Sequence, residues 1–460
     1  MVMHINPSII QFIGGRNVSS QSSKFNGNSV IATFGDSLEA HLGYASNSAG
    51  SEEYSNWSRG YLNWSRILDP RGKWDNWYDG AKTGRYFQGQ NQGISGNTTT
   101  QMVGRKADVY SIPNVKVVIQ GGGTNDLNQG DSAATILANH ANLIAEWKSR
   151  GIKTILMTPP PRPTIGTNSW ASGSAIRIAW FDVCSGMQAL ADADPAWVQI
   201  VRRDIICGTG DVDNTPKAGH IQADNVHLTP IGGYHIAADP GGLNEKLANW
   251  VDPFTGFPLA AQPGEITTNP LLIGATGTVS TGCTGIAPTG MRFRRSTGSN
   301  ITAVGSNETI NGEDYFKMVI TRNGAGGTET IGLDYGANIT ANLPAVGSWM
   351  RSAMKAKWDA SPAIQNVMLQ ARQQPSTPAN MNNYTMRVDT GYPWENAAIA
   401  AADGGGLWQI APPQIVKTGI TSILFNALIT VDNATAGTNT VWISRMQLYA
   451  VSDPRPSLGF

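Results

Sequence analysis

The sequence predicts an α/β domain followed by an all-β sandwich of jelly-roll type. Three observations carry this expectation. Short β-branched runs alternate with helical patterns as far as about residue 250, the Pro/Gly-punctuated stretch Pro253-Phe254-Thr255-Gly256-Phe257-Pro258 breaks the pattern, and alternating or β-branched runs with little helix follow it. The chain has 460 residues, more than one hydrophobic core usually supports, which agrees with a division into domains.

Taken in order, residues 1–28 are polar and rich in Ser and Asn, the composition of a lead-in or attachment segment. The α/β domain is expected over residues 29–252. Ser29 to Phe34, Val115 to Gln120 and Lys153 to Met157 read as strands buried in a parallel sheet, because β-branched residues fill both faces. Between them a helix is expected from Asp131 or Ser132 to Arg150. There Ile136, Leu137, His140, Leu143, Ile144 and Trp147 share one face, and Gly151 is the stop. Strand, helix, strand implies right-handed crossovers, with functional loops at the carboxyl ends of the strands. A last helix is expected around Leu243 to Trp250. Over residues 253–460, strands are expected at Tyr315 to Thr321, Trp349 to Trp358, Ile364 to Ala371, Tyr384 to Val388, Ser422 to Val431 and Val441 to Val451, with turns at Asn323-Gly324 and Asp432-Asn433.

Composition narrows the function. Hydrophobic residues make up 40% and charged residues 14%, with 52 Gly and 25 Pro, as in a turn-rich folded protein. Lys plus Arg and Asp plus Glu are 33 each, so no global field favours nucleic acid or an anionic membrane. Neutral sugars or esters fit better as partners. No run approaches the ~20 apolar residues that span a bilayer, and the opening MVMHINPSII lacks a basic leader and a long apolar core. The expectation is a soluble chain without a signal peptide, with an extracellular or virion-associated setting favoured. Cys184, Cys207 and Cys283 are odd in number and widely spaced, which points to isolated thiols, a Cys184 to Cys207 bridge remaining open.

Four blocks carry chemistry. Gly35-Asp36-Ser37-Leu38 follows the first expected strand, where a serine can project its hydroxyl into a cleft while its own N–H faces the same space. Gly93-Ile94-Ser95-Gly96-Asn97-Thr98-Thr99 is a polar loop in which Gly96 can bring a backbone N–H close to a ligand. Gly123-Thr124-Asn125-Asp126 follows the strand ending at Gln120, and the Asn125 amide is a neutral donor suited to a developing oxyanion. In Asp224-Asn225-Val226-His227, a spacing of three lets a bent loop set both side chains on one side, Asp224 holding the tautomer of His227. Singly, each block is also compatible with a turn or a helix cap.

Together and in this order, the blocks resemble those of the SGNH hydrolase superfamily, the GDSL esterases and lipases, over roughly residues 29 to 250. The resemblance implies a flavodoxin-like three-layer α/β/α fold and acyl transfer through an acyl-serine. It implies Ser37 as nucleophile, His227 as acid and base and Asp224 as its orienter, with an oxyanion hole from the Ser37 and Gly96 N–H groups and the Asn125 amide. It implies no cofactor and no metal.

Between Ser37 and Gly96 lies an insertion crowded with aromatics, of which Trp57, Trp64, Trp74, Trp77 and Tyr78 are candidates for stacking on a sugar or lining an acyl pocket. It contains no long apolar lid. With a β-sandwich that resembles carbohydrate-binding modules, the expectation is a serine esterase removing acetyl groups from a polysaccharide. The alternatives are a broad-specificity arylesterase, lipase or thioesterase, or a phage-tail or glycan-binding protein with an esterase-like domain.

Overall fold

The computed structural model describes residues 24–48, 51–77, 88–163, 170–254, 264–375, 380–387, 391–395, 399 and 406–454. Five strands form a parallel sheet in the order Asn91–Gly93, Val30–Gly35, Val115–Gln120, Lys153–Met157, Val198–Val201. Its inner strands are largely apolar on both faces because both faces are covered, while the edge strand Asn91–Gly93 is polar. Ala32, Phe34 and Val118 pack with Met102, Leu143 and Trp147 on one side, while Ile31, Val117 and Ile119 pack with Leu228, Ile236 and Leu247 on the other. The result is three layers, helix, sheet, helix.

The helix expected from Ser132 is present as Ala133–Ser149, with the Ser132 hydroxyl accepting from Thr135 N–H at 3.1 Å and Gly151 beyond its end at φ +72°. Its buried face is Ile136, His140, Leu143 and Trp147. Gln120 links the two polar members inside the core, its Nε2 meeting His140 Nδ1 at 2.8 Å and its Oε1 accepting from Trp147 Nε1 at 2.7 Å.

The chain after Val30–Gly35 goes to one neighbour through Asn91–Gly93 and to the other through Val115–Gln120. The carboxyl end of this strand is therefore a switch point, where an open α/β sheet leaves a crevice. Ser37 stands there.

The C-terminal region is a sandwich of two mostly antiparallel sheets. One runs Thr278–Val279, Met291–Thr297, Thr328–Tyr335, Ile420–Asp432, Ile364–Pro375, Asn380–Tyr384, and the other Cys283–Gly285, Ile301–Ile310, Glu313–Arg322, Gly437–Val451, Trp349–Trp358, Leu407–Ile410. Phe293, Leu333 and Ile429 from the first meet Phe316, Met354 and Ile443 from the second in one buried core. Around residue 384 the strand lies earlier than expected, at Asn380–Tyr384, and residue 388 falls outside the described residues.

The two regions interlock. A hairpin of Gly43–Ser48 and Ser51–Asn56, from the segment just after Ser37, extends the first sheet of the sandwich by pairing in parallel with Asn380–Tyr384. Asn383 Nδ2 donates to Tyr54 O at 2.9 Å and Asn56 Nδ2 to Ile410 O at 2.8 Å, so the edge is sealed by buried side-chain amides. Trp64, Ile67 and Tyr234 of the α/β region belong to the core of the sandwich. The three cysteines are free, and the bridge left open between Cys184 and Cys207 does not form; burial pushes both thiols up, Cys207 to about 12.

Candidate active site

Asp36 ends the turn out of strand Val30–Gly35, and Ser37 opens the one-turn helix Ser37–Ala40 with Asp36 Oδ1 accepting from Leu38 N–H at 2.9 Å. The second half of the site comes from a loop folded on itself. Asp224 Oδ1 accepts from Val226 N–H at 2.9 Å and His227 N–H at 3.0 Å, Asn225 takes φ +63°, and Gln222 N–H donates to His227 O at 2.8 Å. This turn makes a spacing of three sufficient. Asp224 Oδ2 lies 2.6 Å from His227 Nδ1, and His227 Nε2 lies 2.9 Å from Ser37 Oγ. Burial raises the Asp224 carboxyl, but the hydrogen bonds from His227 and Val226 outweigh it and hold it at about 2. The carboxylate is therefore charged at neutral pH and fixes Nδ1–H on the imidazole, leaving Nε2 to accept from the serine.

The donors named from the sequence gather on the same side. Gly96, at φ +82°, has open space where a Cβ would stand, and neither its N–H nor that of Ser37 has a partner among the described residues. Asn125, in helix Thr124–Gln129, points its Nδ2 to Asn97 O at 2.9 Å and to Asp36 Oδ2 at 3.5 Å. The second contact is at the limit of a hydrogen bond, so that N–H is available to a better acceptor. Arg105 ties the loop in place, donating to Asn97 Oδ1, Gln92 O and Gly35 O at 2.6, 2.7 and 2.6 Å. Asp126 binds the Thr99 N–H at 2.8 Å and fastens the next turn.

Beneath Ser37 lies a buried ionic network that sequence reasoning did not find. Glu39 is fully enclosed and accepts from Arg203 Nη1 at 3.0 Å, Tyr61 Oη at 3.1 Å and Asp36 N–H at 3.3 Å. A Cβ on Gly35 or Gly121 would stand 2.1 or 2.2 Å from a Glu39 carboxylate oxygen, so the two strand ends must be glycine for the carboxylate to fit. Burial, and next the charge of Glu39, push the Asp36 carboxyl up to about 7.

Around the imidazole and its loop, His41, Arg59, Arg162 and Tyr392 were missed. The His41 ring centroid is 4.3 Å from that of His227 and 5.3 Å from that of Trp57, with the Arg59 guanidinium 3.2 Å above the Trp57 ring. Burial, followed by the charge of Arg59, lowers His41 to about 2, so it remains a neutral wall. Arg162, 6% exposed, donates from Nη1 to Asn225 O at 3.0 Å and so grips the bend between Asp224 and His227. It follows the strand Lys153–Met157, and its place at a carboxyl strand end was the available signal. Tyr392 of the β region accepts from Ala223 N–H at 2.9 Å on the same loop.

Of the aromatic candidates, Trp57 packs against His41, which in turn packs against His227. Trp64 does not: it is fully buried, its Nε1 donates to Ser58 O at 2.6 Å, and its ring meets Tyr234 and Trp394 edge-on. Trp74 is 1% exposed and lies against a different recess. Both are corrections to the substrate-binding expectation, and their reason is that large aromatics bury most area as packing. Trp77 lies in the short strand Asn76–Trp77, and Tyr78 falls outside the described residues. Among the described residues no group of three or more His, Cys, Asp or Glu could hold a metal ion.

A parallel sheet with a serine at its switch point, and a histidine and an aspartate in hydrogen-bonded sequence behind it, defines an α/β domain of the SGNH class. Residues 33–232 match the GDSL-like Lipase/Acylhydrolase family, so this part of the chain is a domain of that family, one that hydrolyses esters. Similar solved structures include a G-D-S-L family lipolytic protein from Desulfitobacterium hafniense (16% identity, TM-score 0.33, 48% of this chain and 98% of that one). Another is an Enterococcus faecalis lipase/acylhydrolase (18%, 0.33, 49% and 98%). A third is a Geobacillus acetyl-xylooligosaccharide esterase (17%, 0.33, 52% and 100%). No curated protein matches the chain.

Proposed function

We propose that the protein is a serine esterase that removes short acyl groups, acetyl foremost, from a polysaccharide through an acyl-serine intermediate. The observation that carries this reading is the continuous relay Ser37 Oγ, His227 Nε2, His227 Nδ1, Asp224 Oδ2, with spacings of 2.9 and 2.6 Å.

In this reading His227 Nε2 takes the Ser37 proton as Oγ attacks the ester carbonyl. The oxyanion of the tetrahedral intermediate is met by the N–H groups of Ser37 and Gly96 and by Asn125 Nδ2. Collapse expels the alcohol, which receives the proton from His227, and a water activated by the same nitrogen then releases the acid and restores the serine. Asp224 stays ionised throughout and stabilises the imidazolium. Asn125→Ala is expected to lower kcat about 10²- to 10³-fold with little change in KM, because the amide acts on charge that develops only in the transition state. Steady-state kinetics on a chromogenic acetyl ester checks this.

The imidazole is flanked by His41, behind which Trp57 and Arg59 stack in turn, and this polar and aromatic series rather than an aliphatic wall supports a small acyl group on a polar carrier over a long fatty chain. Acetate release from acetylated polysaccharides is expected to exceed cleavage of long-chain esters. A strong preference for acyl chains of about eight carbons or more, as sites lined by apolar area would give, overturns the polysaccharide reading.

A further inference from the structure

A cavity of about 260 Å³ lies away from Ser37, where the α/β region meets the sandwich, and is lined among others by Arg66, Lys73, Trp74, Asp75, Phe254 and Arg351. Its charges do not balance. Among the described residues the lining holds three cationic side chains and a single acid, Asp75. Asp75 is already engaged, since its Oδ1 accepts from Arg351 Nη2 at 2.6 Å and its Oδ2 lies 3.9 Å from Lys73 Nζ. Arg66 has no hydrogen bond among the described residues, and its guanidinium is 5.6 Å from the centre of the Trp74 ring. Arg351 Nε and Trp74 Nε1 are buried donors without a partner as well.

Burial lowers Arg66 to about 10, which still leaves it protonated at neutral pH. Burial would raise the Asp75 carboxyl, yet Arg351 and then Arg66 hold it below its ordinary value, so it is ionised. The recess thus carries two positive charges in excess, partly withdrawn from water. A desolvated guanidinium without a counter-charge is costly, and a fork of N–H donors is the natural partner of a planar or tetrahedral oxyanion. Pro70, Phe254 and Ile410 add apolar surface to the lining.

We propose that this recess is a binding site for an oxyanion group, a carboxylate, sulfate or phosphate, with Arg66 as its principal ligand and Arg351 and Lys73 beside it. The volume limits the occupant to an inorganic oxyanion or to about one acidic sugar residue. The site stands apart from the Ser37 chemistry and does not depend on it.

Titration calorimetry and thermal unfolding of the full chain test it, using sodium phosphate, sodium sulfate and sodium glucuronate against sodium chloride at matched ionic strength. At least one oxyanion is expected to bind saturably, one per chain, and to raise Tm by about 2–5 °C. Arg66→Met is expected to weaken that binding about tenfold or more, and Lys73→Met, at the half-exposed mouth where folding is not at stake, to weaken it severalfold. Binding of phosphate or sulfate alone identifies a free ion as the occupant, and binding of glucuronate identifies a sugar acid. No oxyanion binding better than chloride, or binding by both Arg66→Met and Lys73→Met equal to that of wild type, overturns the proposal.

Discussion

Ser37→Ala is expected to reduce hydrolysis of a short acyl ester by roughly 10⁴- to 10⁶-fold while leaving the unfolding curve in place. Both halves of this expectation follow from the geometry. The side-chain hydrogen bond of Ser37 is to His227 Nε2, in a part-buried setting, so losing one oxygen removes no support from the fold. What disappears is the nucleophile, and with it the covalent intermediate. A water molecule can still attack the ester carbonyl directly, helped by the remaining oxyanion stabilisation, and this sets the residual rate. His227→Ala is expected to fall as far, because a serine at its ordinary acidity does not attack an ester at neutral pH. The double variant is expected to be no worse than either single one, as for groups that act as a unit. Retention of more than about a tenth of the activity in either single variant, measured on purified, folded protein, removes Ser37 and His227 from the reaction.

The largest expected effect on stability lies one layer below. Arg203→Met is expected to destabilise the protein by about 3–5 kcal/mol, read from the denaturant midpoint. Arg203 and Glu39 are both fully buried, and Arg203 also donates to Thr158 O at 2.6 Å and Met157 O at 3.2 Å. Its loss strands the Glu39 carboxylate among Gly35, Gly121 and the start of the Ser37 helix, where no water reaches it. The companion Glu39→Gln/Arg203→Met is expected to recover part of that loss, since two neutral groups leave no unpaired charge. A single variant as stable as wild type would mean that the pair is dispensable to the fold.

The parts legible in the sequence were those whose signal is local. Val30–Gly35, Val115–Gln120 and Lys153–Met157 announce themselves because parallel strands buried on both faces are largely apolar and β-branched. The helix from Ser132 carries its cap, its buried face and its stop within twenty residues. Most long strands of the sandwich were legible from their alternating or β-branched runs, but Met291–Thr297, with three arginines and two hydroxyl residues in seven positions, reads as polar, and only its inward Met291 and Phe293 reach the core. The aromatics of the insertion misled because a tryptophan is equally suited to a cleft and to a core, and only neighbours such as Tyr234 and Trp394 decide between them for Trp64.

By itself the sequence determined the class of fold and which hydroxyl, imidazole, carboxylate and amide are available to react, since each sits in a short motif whose turn chemistry is written in adjacent residues. The tertiary structure alone decided that the hairpin at 43–56 belongs to the second region's sheet, that Glu39 meets Arg203 across 164 positions, and that Asp75 meets Arg351 across 276 beside an unbalanced recess. Pairings at such separations are chosen by packing and by the cost of leaving charge unpaired, and neither leaves a periodic trace along the chain.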